Sequence, residues 1–354
     1  MNILIIGAGI HGCFLSIYLN QYDKNIKITI LEKEKDICKG SSDSTHNRSN
    51  RGFHYPRSNR TAEECKMGWD YFYKSYKNLF YDIGFSYYLI EKESLVSYSK
   101  YKDFLKKNRY KFKEKFPKKL NFINNNIVGS FEVFEGCFDH IKLKKYIKNT
   151  FRKYKNLKII KNFEIDKINY KKNKNLNIKS KNKKNFEGEF DAIVNCTYEN
   201  VNKVDKIFGL ETNKHKYKIQ NTVIAIVKIK KEIPGFTIMD GKFITILPRA
   251  GYKNHYLIYD PVNSVSLRRM DYENVLNRYK KMIVKLNKYI DINFKIELVD
   301  FIYGKRPIPL NNKDDRRSTI IEHKKFHKIN YYNIREGKYI SAPLIAKKLA
   351  KKIL

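Results

Sequence analysis

The feature that most constrains this chain lies in its first 32 residues. Ile3–Ile6 is a short, uninterrupted apolar run, the pattern of a strand buried on both faces. It leads directly into Gly7-Ala8-Gly9-Ile10-His11-Gly12. Apolar positions from Ile10 to Tyr22 predict a helix, and Ile26–Leu31 predicts a second strand that ends on Glu32, followed by Lys33. A βαβ unit with G-x-G-x-x-G at the strand-to-helix turn, and an acid twenty residues past the last glycine, predicts an adenine-dinucleotide site. Each part has a physical task. Gly7 permits the tight turn, Gly9 lets a pyrophosphate approach the backbone, and Gly12 lets the helix lie close to the strand. The helix N-terminus offers amides to phosphate. Glu32 accepts hydrogen bonds from a ribose diol, and its charge repels a 2′-phosphate.

An NAD domain would continue as further βαβ units. Here the polar stretch Gly40–Asn50 follows, then Arg51-Gly52-Phe53-His54-Tyr55-Pro56-Arg57 and helical periodicity over 62–81. Residues 84–135 are lysine- and aromatic-rich, a helix is predicted over 138–154, and Phe190–Asn195 is a second buried-strand pattern. From 215 to 300 strands alternate with one helix near 272–289, an antiparallel α+β pattern. Tyr331–Ile334 and a last helix to Ile353 close the chain. The nucleotide-type sheet is therefore completed late, an arrangement that suits FAD, whose extended shape takes contacts from both ends of a chain. The expected fold class is α/β. A discontinuous Rossmann-like FAD-binding domain takes residues 1–83, 136–210 and 300–354; an α+β antiparallel-sheet substrate domain takes 84–135 and 211–299.

The net charge of +37 invites a nucleic-acid reading. However, the lysines are dispersed and accompany heavy use of Asn, Ile and Tyr, as an AT-rich coding bias produces. The densest run, from Lys171 to Lys184, reads as a hairpin loop. A compositionally biased surface with no specific nucleic-acid partner is expected. The five cysteines are scattered, with no CxxC pair, which excludes a zinc ribbon and a disulfide framework. No metal site is expected. No run approaches the ~20 apolar residues of a membrane span, and Met1-Asn2 opens directly into a strand with no leader pattern. A cytoplasmic protein without a membrane span is expected. Nothing in the sequence sets its oligomeric state.

Four segments in order resemble the FAD-dependent oxidoreductase superfamily of D-amino-acid oxidase, glycine oxidase and sarcosine oxidase: Ile5–Gly12 with Glu32, Asn50–Arg57, Asp191–Tyr198, and Gly304–Pro307 with the tail Gly337–Ala346. Asp240-Gly241, Leu247-Pro248 and Tyr256–Tyr259 also resemble a less characterised branch found among surface-polysaccharide genes. The resemblance implies that Gly7, Ala8, Gly9, Ile10, His11, Gly12, Glu32 and Lys33 hold the ADP half of FAD, with Ile165 at adenine. Arg51, Gly52 and Thr197 would lie along the pyrophosphate-to-flavin stretch, and Gly337, Lys338, Tyr339 and Ile340 at the flavin. Where the family has glycine after its strand ending in Thr197, this chain has Tyr198.

Ser341 is positioned as an N-cap and Pro343 in a first helical turn. The resemblance aims that helix N-terminus at flavin N1 and C2=O, where reduced flavin gathers negative charge. Non-covalent FAD is implied, because Ser341 and Ala342 stand where covalent members carry cysteine. Arg306 matches the arginine that grips a substrate carboxylate and is expected at a strand exit. His54 and Arg57 match flavin-face residues; His54 is read as a proton acceptor, a substrate contact or a packed residue behind the site. The implied activity is oxidation of a C–H bond next to an amine or hydroxyl in a carboxylate-bearing small molecule. Two alternatives stand beside it: a 2-hydroxy-acid or sugar-linked flavin dehydrogenase of glycan precursor metabolism, and a basic flavin-dependent RNA-modification protein.

Overall fold

A computed structural model describes the chain apart from residues 82–83, 119, 123–125, 213, 243, 311–317 and 336. β1 (Asn2–Ile6), α1 (Ile10–Tyr22) and β2 (Lys27–Leu31) form the expected βαβ unit. β1 pairs in parallel with β2 on one side and with Ala192–Asn195 on the other. Leu157–Ile160 extends the sheet beyond β2, and Ile329–Arg335 extends it beyond Ala192–Asn195, again in parallel. Ile320–Phe326 adds an antiparallel edge, giving six strands.

The alternation of side chains along β1 explains why its run is apolar throughout. Ile3 and Ile5 pack into one core with Cys13 and Leu15 of α1 and with Leu349 of the C-terminal helix Ala342–Ile353. Leu4 and Ile6 face a second core with Leu176, Ile178 and Phe190. That second core is closed by a three-stranded antiparallel sheet, Ile165–Tyr170, Asn175–Ser180 and Asn185–Glu189. The lysine-rich run 171–184 supplies the middle strand and both turns of this sheet.

A nine-stranded sheet forms the other layer. Tyr217–Ile229 lies near one end of it, between His255–Tyr259 and Ile296–Pro309. The 84–135 region contributes Phe85–Glu91, Ile127–Phe134 and Phe112–Glu114. Every pairing in this sheet is antiparallel except that of Phe85–Glu91 with Gly235–Met239. The helix Tyr272–Asn287 covers one face, burying Val275, Tyr279, Met282 and Leu286 against Val223, Ala225 and Val227.

The Ile296–Pro309 strand runs through the boundary expected at residue 300. Its ladder continues from Ile296 opposite Ile229 to Pro309 opposite Tyr217, so Gly304–Pro307 belongs to the nine-stranded sheet. Among the described residues no helix is long and apolar enough to cross a membrane. The architecture is α/β, with a Rossmann-like parallel sheet facing a mostly antiparallel one.

Candidate active site

A cavity of about 550 Å³ is lined by residues of both large sheets. At one end the turn after β1 meets the end of β2. Gly7, Gly9, Ile10 and His11 line it there, with Glu32, Lys33 and Ile165. The Glu32 carboxylate accepts the amides of Ala8 at 2.6 Å and Glu34 at 2.8 Å. Burial pushes its carboxyl pKa up, and the Glu34 and Ala8 amides oppose that shift. Ser42 Oγ accepts the amide of Ile10 at 3.0 Å, pinning the following loop to the N-terminus of α1. Burial lowers the His11 imidazole to about 4, so it is neutral here.

The space at this turn suits a dinucleotide. A Cβ on Gly9 would meet only Ser42 Oγ, at 3.4 Å, so the turn stays open on the cavity side. A Cβ on Gly12 would lie 2.1 Å from the Gly7 carbonyl, so that glycine serves helix-to-strand contact. Ala8 and Gly12 are buried behind the turn. Thr197 and Tyr198 line the middle of the cavity, and Tyr198 holds the left-handed backbone (φ 52°) that the expected glycine would occupy freely.

Gly337, Lys338, Tyr339 and Ile340 line the cavity immediately before the C-terminal helix. Lys338 Nζ donates to Tyr55 Oη and lies 4.3 Å from that ring's centroid. Ser341 stands at the N-cap without capping through its side chain. Its hydroxyl donates instead to Glu64 Oε1 at 2.8 Å and to the Lys338 carbonyl at 3.0 Å, tying the tail to α2 (Asn59–Tyr76).

The remaining wall carries three arginines. Arg48 donates to Tyr88 Oη at 3.0 Å and Thr237 Oγ1 at 2.5 Å, and lies 3.7 Å from the buried Glu135 carboxylate. Arg57 Nε donates to Asp240 Oδ2 at 2.5 Å. Arg306 Nε donates to Gln220 Oε1 at 2.7 Å, and its guanidinium stands 5.9 Å from the Tyr259 ring centroid. Of the three, Arg306 is the one with no carboxylate partner among the described residues. His54 packs edge-on to Tyr55 at 5.6 Å, and His46 edge-on to Tyr259 at 4.7 Å.

The structure thus brings together most of the residues singled out from the sequence and corrects three expectations. Arg51 lies outside the cavity: its guanidinium covers Trp69 at 4.1 Å and pairs with Asp70 at 3.3 Å. Gly52 is buried with φ 106°, and a Cβ there would fall 2.3 Å from Tyr110 Oη, so it serves packing of the loop on α2 rather than cofactor approach. Arg306 sits inside a long strand, opposite Gln220, rather than at a strand exit. Ser42, His46 and Arg48 were missed. The only sequence signal for them is an unbroken polar loop, Gly40–Asn50, joining a nucleotide unit to a helix.

The family model described as FAD dependent oxidoreductase (DAO) matches residues 2–352. The chain belongs to this family. It is an FAD-dependent oxidoreductase, and its cofactor is FAD. The crystal structure of glycine oxidase from Geobacillus kaustophilus superposes with a TM-score of 0.75 at 13% identity, covering 99% of this chain and 94% of that one. The L-α-glycerophosphate oxidase of Mycoplasma pneumoniae, solved with FAD bound, gives 0.73 at 14% identity, covering 100% and 94%. A curated relative, the FAD-dependent monooxygenase kojA of Aspergillus flavus, is 30% identical over 79 residues, 22% of this chain. The matched stretch spans 18% of that relative's length.

Proposed function

We propose that this FAD-dependent oxidoreductase oxidises a C–H bond next to an amine or hydroxyl in a small molecule bearing a carboxylate. The observation that carries the reading is Arg306, a cavity-lining guanidinium with no carboxylate partner among the described residues. Arg48 and Arg57 already face Glu135 and Asp240. Gln220 fixes the Arg306 fork through Nε, and an anion in the cavity supplies the missing counter-charge. The structural neighbours are named for glycine, which bears a carboxylate, and for glycerophosphate, which bears a phosphate, and an anionic group on each agrees with a cavity guanidinium that lacks a counter-charge.

Gly7, Gly9, Ile10, His11 and Glu32 would hold the ADP half of FAD, with Lys33 and Ile165 at the adenine side. Thr197 and Gly337–Ile340 would hold the flavin half. Bound FAD supplies a two-electron, hydride-accepting ring system. The protein binds and orients the substrate: Arg306 holds its carboxylate, Tyr259 walls the site, and the N-terminus of the last helix with Lys338 places positive charge at the flavin end.

Anaerobic mixing of the yellow protein with amino acids, 2-hydroxy acids and neutral alcohols tests the reading. Bleaching by a carboxylate-bearing compound is expected. Bleaching by neutral alcohols alone would overturn it.

A further inference from the structure

His46 has no task in the reading above. It lines the cavity, and its ring stands edge-on to Tyr259, the same ring that the Arg306 guanidinium approaches at 5.9 Å. Its Nε2 is buried with no hydrogen-bond partner among the described residues. Most buried polar groups are satisfied, and an unsatisfied imidazole nitrogen on the same cavity wall as Arg306 points to a ligand.

The charged groups around His46 are specific. Arg48 comes from its own loop and Arg306 from the Ile296–Pro309 strand; Tyr259 comes from His255–Tyr259. Burial, then Arg48, then Arg306 lower the imidazole to about 3, so it is neutral and a poor base when the cavity lacks an anion. A carboxylate held by Arg306 changes that balance. Its negative charge offsets one guanidinium at close range in a site of low polarity, and the imidazole regains basicity.

We propose that His46 accepts the proton of the amine or hydroxyl beside the reacting C–H, and that the carboxylate held by Arg306 is what makes it basic enough to do so. The inference rests on the carboxylate reading of Arg306. The step balances: the carbon gives up its hydrogen with both electrons to the FAD chemistry of this family, the neighbouring N–H or O–H proton goes to His46, and a C=N or C=O bond forms. An anion-free molecule leaves His46 weakly basic, so the arginine that binds the substrate carboxylate, Arg306, also selects for it.

The test uses anaerobic holoenzyme whose flavin has been reduced with dithionite, so that no hydride transfer can occur, and two probes, acetate and glycolate, which differ by one hydroxyl. Binding is read from perturbation of the flavin absorption band, and FAD content controls for folding. The wild type is expected to bind glycolate about tenfold more tightly than acetate, a gain typical of one additional hydrogen bond of about 1.4 kcal/mol. His46→Phe keeps a ring against Tyr259 and is expected to erase that preference with acetate affinity unchanged. His46→Asn, which keeps an acceptor, should restore part of it. Histidine carbon NMR should show the His46 titration midpoint rising with acetate in the wild type and staying low in Arg306→Gln. A glycolate preference that survives in His46→Phe, or a midpoint that acetate does not move, would overturn the inference. If Arg306→Gln binds both probes as the wild type does, the carboxylate reading itself fails, and the His46 inference fails with it.

Discussion

The carboxylate of Glu32 is bonded to the amide of Ala8 at 2.6 Å, so the acid at the end of β2 buttresses the glycine turn at the end of β1. One residue therefore shapes the glycine turn and lines the cavity beside it. The parallel pairing of β1 with β2 puts both strand ends at the same side of the sheet, where such folds bind nucleotides.

Gly9 and Gly12 should separate cofactor binding from folding. Gly9→Val has room within the protein and should give folded but colourless protein. Gly12→Ala drives a methyl into the Gly7 carbonyl and should lower stability by about 1–3 kcal/mol through overpacking. Flavin absorbance and thermal unfolding read the two effects. Full FAD content in Gly9→Val would contradict the role given to the turn.

Arg306→Ala should raise KM about 10–100-fold on a carboxylate substrate, a loss of about 1.4–2.7 kcal/mol of binding. FAD content and the flavin spectrum should stay unchanged. Arg306→Lys keeps the charge without the planar fork and should fall between. A wild-type KM in Arg306→Ala would mark the arginine as structural.

FAD should be released by acid. Among the described residues the cavity is lined by one cysteine, Cys196, and burial pushes its thiol pKa well above the ordinary range, which leaves it unreactive as a nucleophile. After acid precipitation and centrifugation, yellow colour should be in the supernatant. Colour retained in the pellet would reveal a covalent bond and direct attention to His11, His46 and His54, the cavity histidines.

Asp43 should make stability fall at low pH. Burial alone would raise its carboxyl pKa, but the hydrogen bond from His140 and the ion pair with Lys39 outweigh it and bring it to about 2. A carboxyl depressed on folding stabilises the protein above its unfolded value of about 3.9, and the contribution is lost as pH falls toward the folded value. Urea unfolding of Asp43→Asn should therefore show a shallower decline than the wild type between pH 4 and 2. An identical slope would remove Asp43 from the account.

Arg335 and Asp205 are fully buried and ion-paired, with Arg335 also bound to Glu322 and Asn202. Arg335→Ala should destabilise by about 3–5 kcal/mol, because Asp205 is left as an uncompensated buried charge. Thermal unfolding measures it, and a loss below about 1 kcal/mol would show that the buried pair contributes little to stability.

The sequence by itself determined the βαβ unit, because everything that specifies it is local. A four-residue apolar strand, three glycines at fixed spacing, a helical period and an acid at the next strand end all fall within 32 residues. The same holds for the last helix and for the cavity-lining tail Gly337–Ile340 before it. Tertiary structure alone decided the other end of the site. Arg306 reaches the cavity because a long ladder sets it opposite Gln220, and in a strand a one-residue slip would turn its side chain to the other face. His46 and Arg48 reach it because Ser42 is tied to the helix N-terminus while Glu135, Tyr88 and Thr237, from distant segments of the chain, hold the Arg48 guanidinium. Ser341 lost its capping role to Glu64, a carboxylate 277 residues away in sequence. Local pattern encodes which element forms, whereas register and long-range hydrogen bonds select which side chains meet, and the arginine-bearing wall of the cavity is made of such meetings.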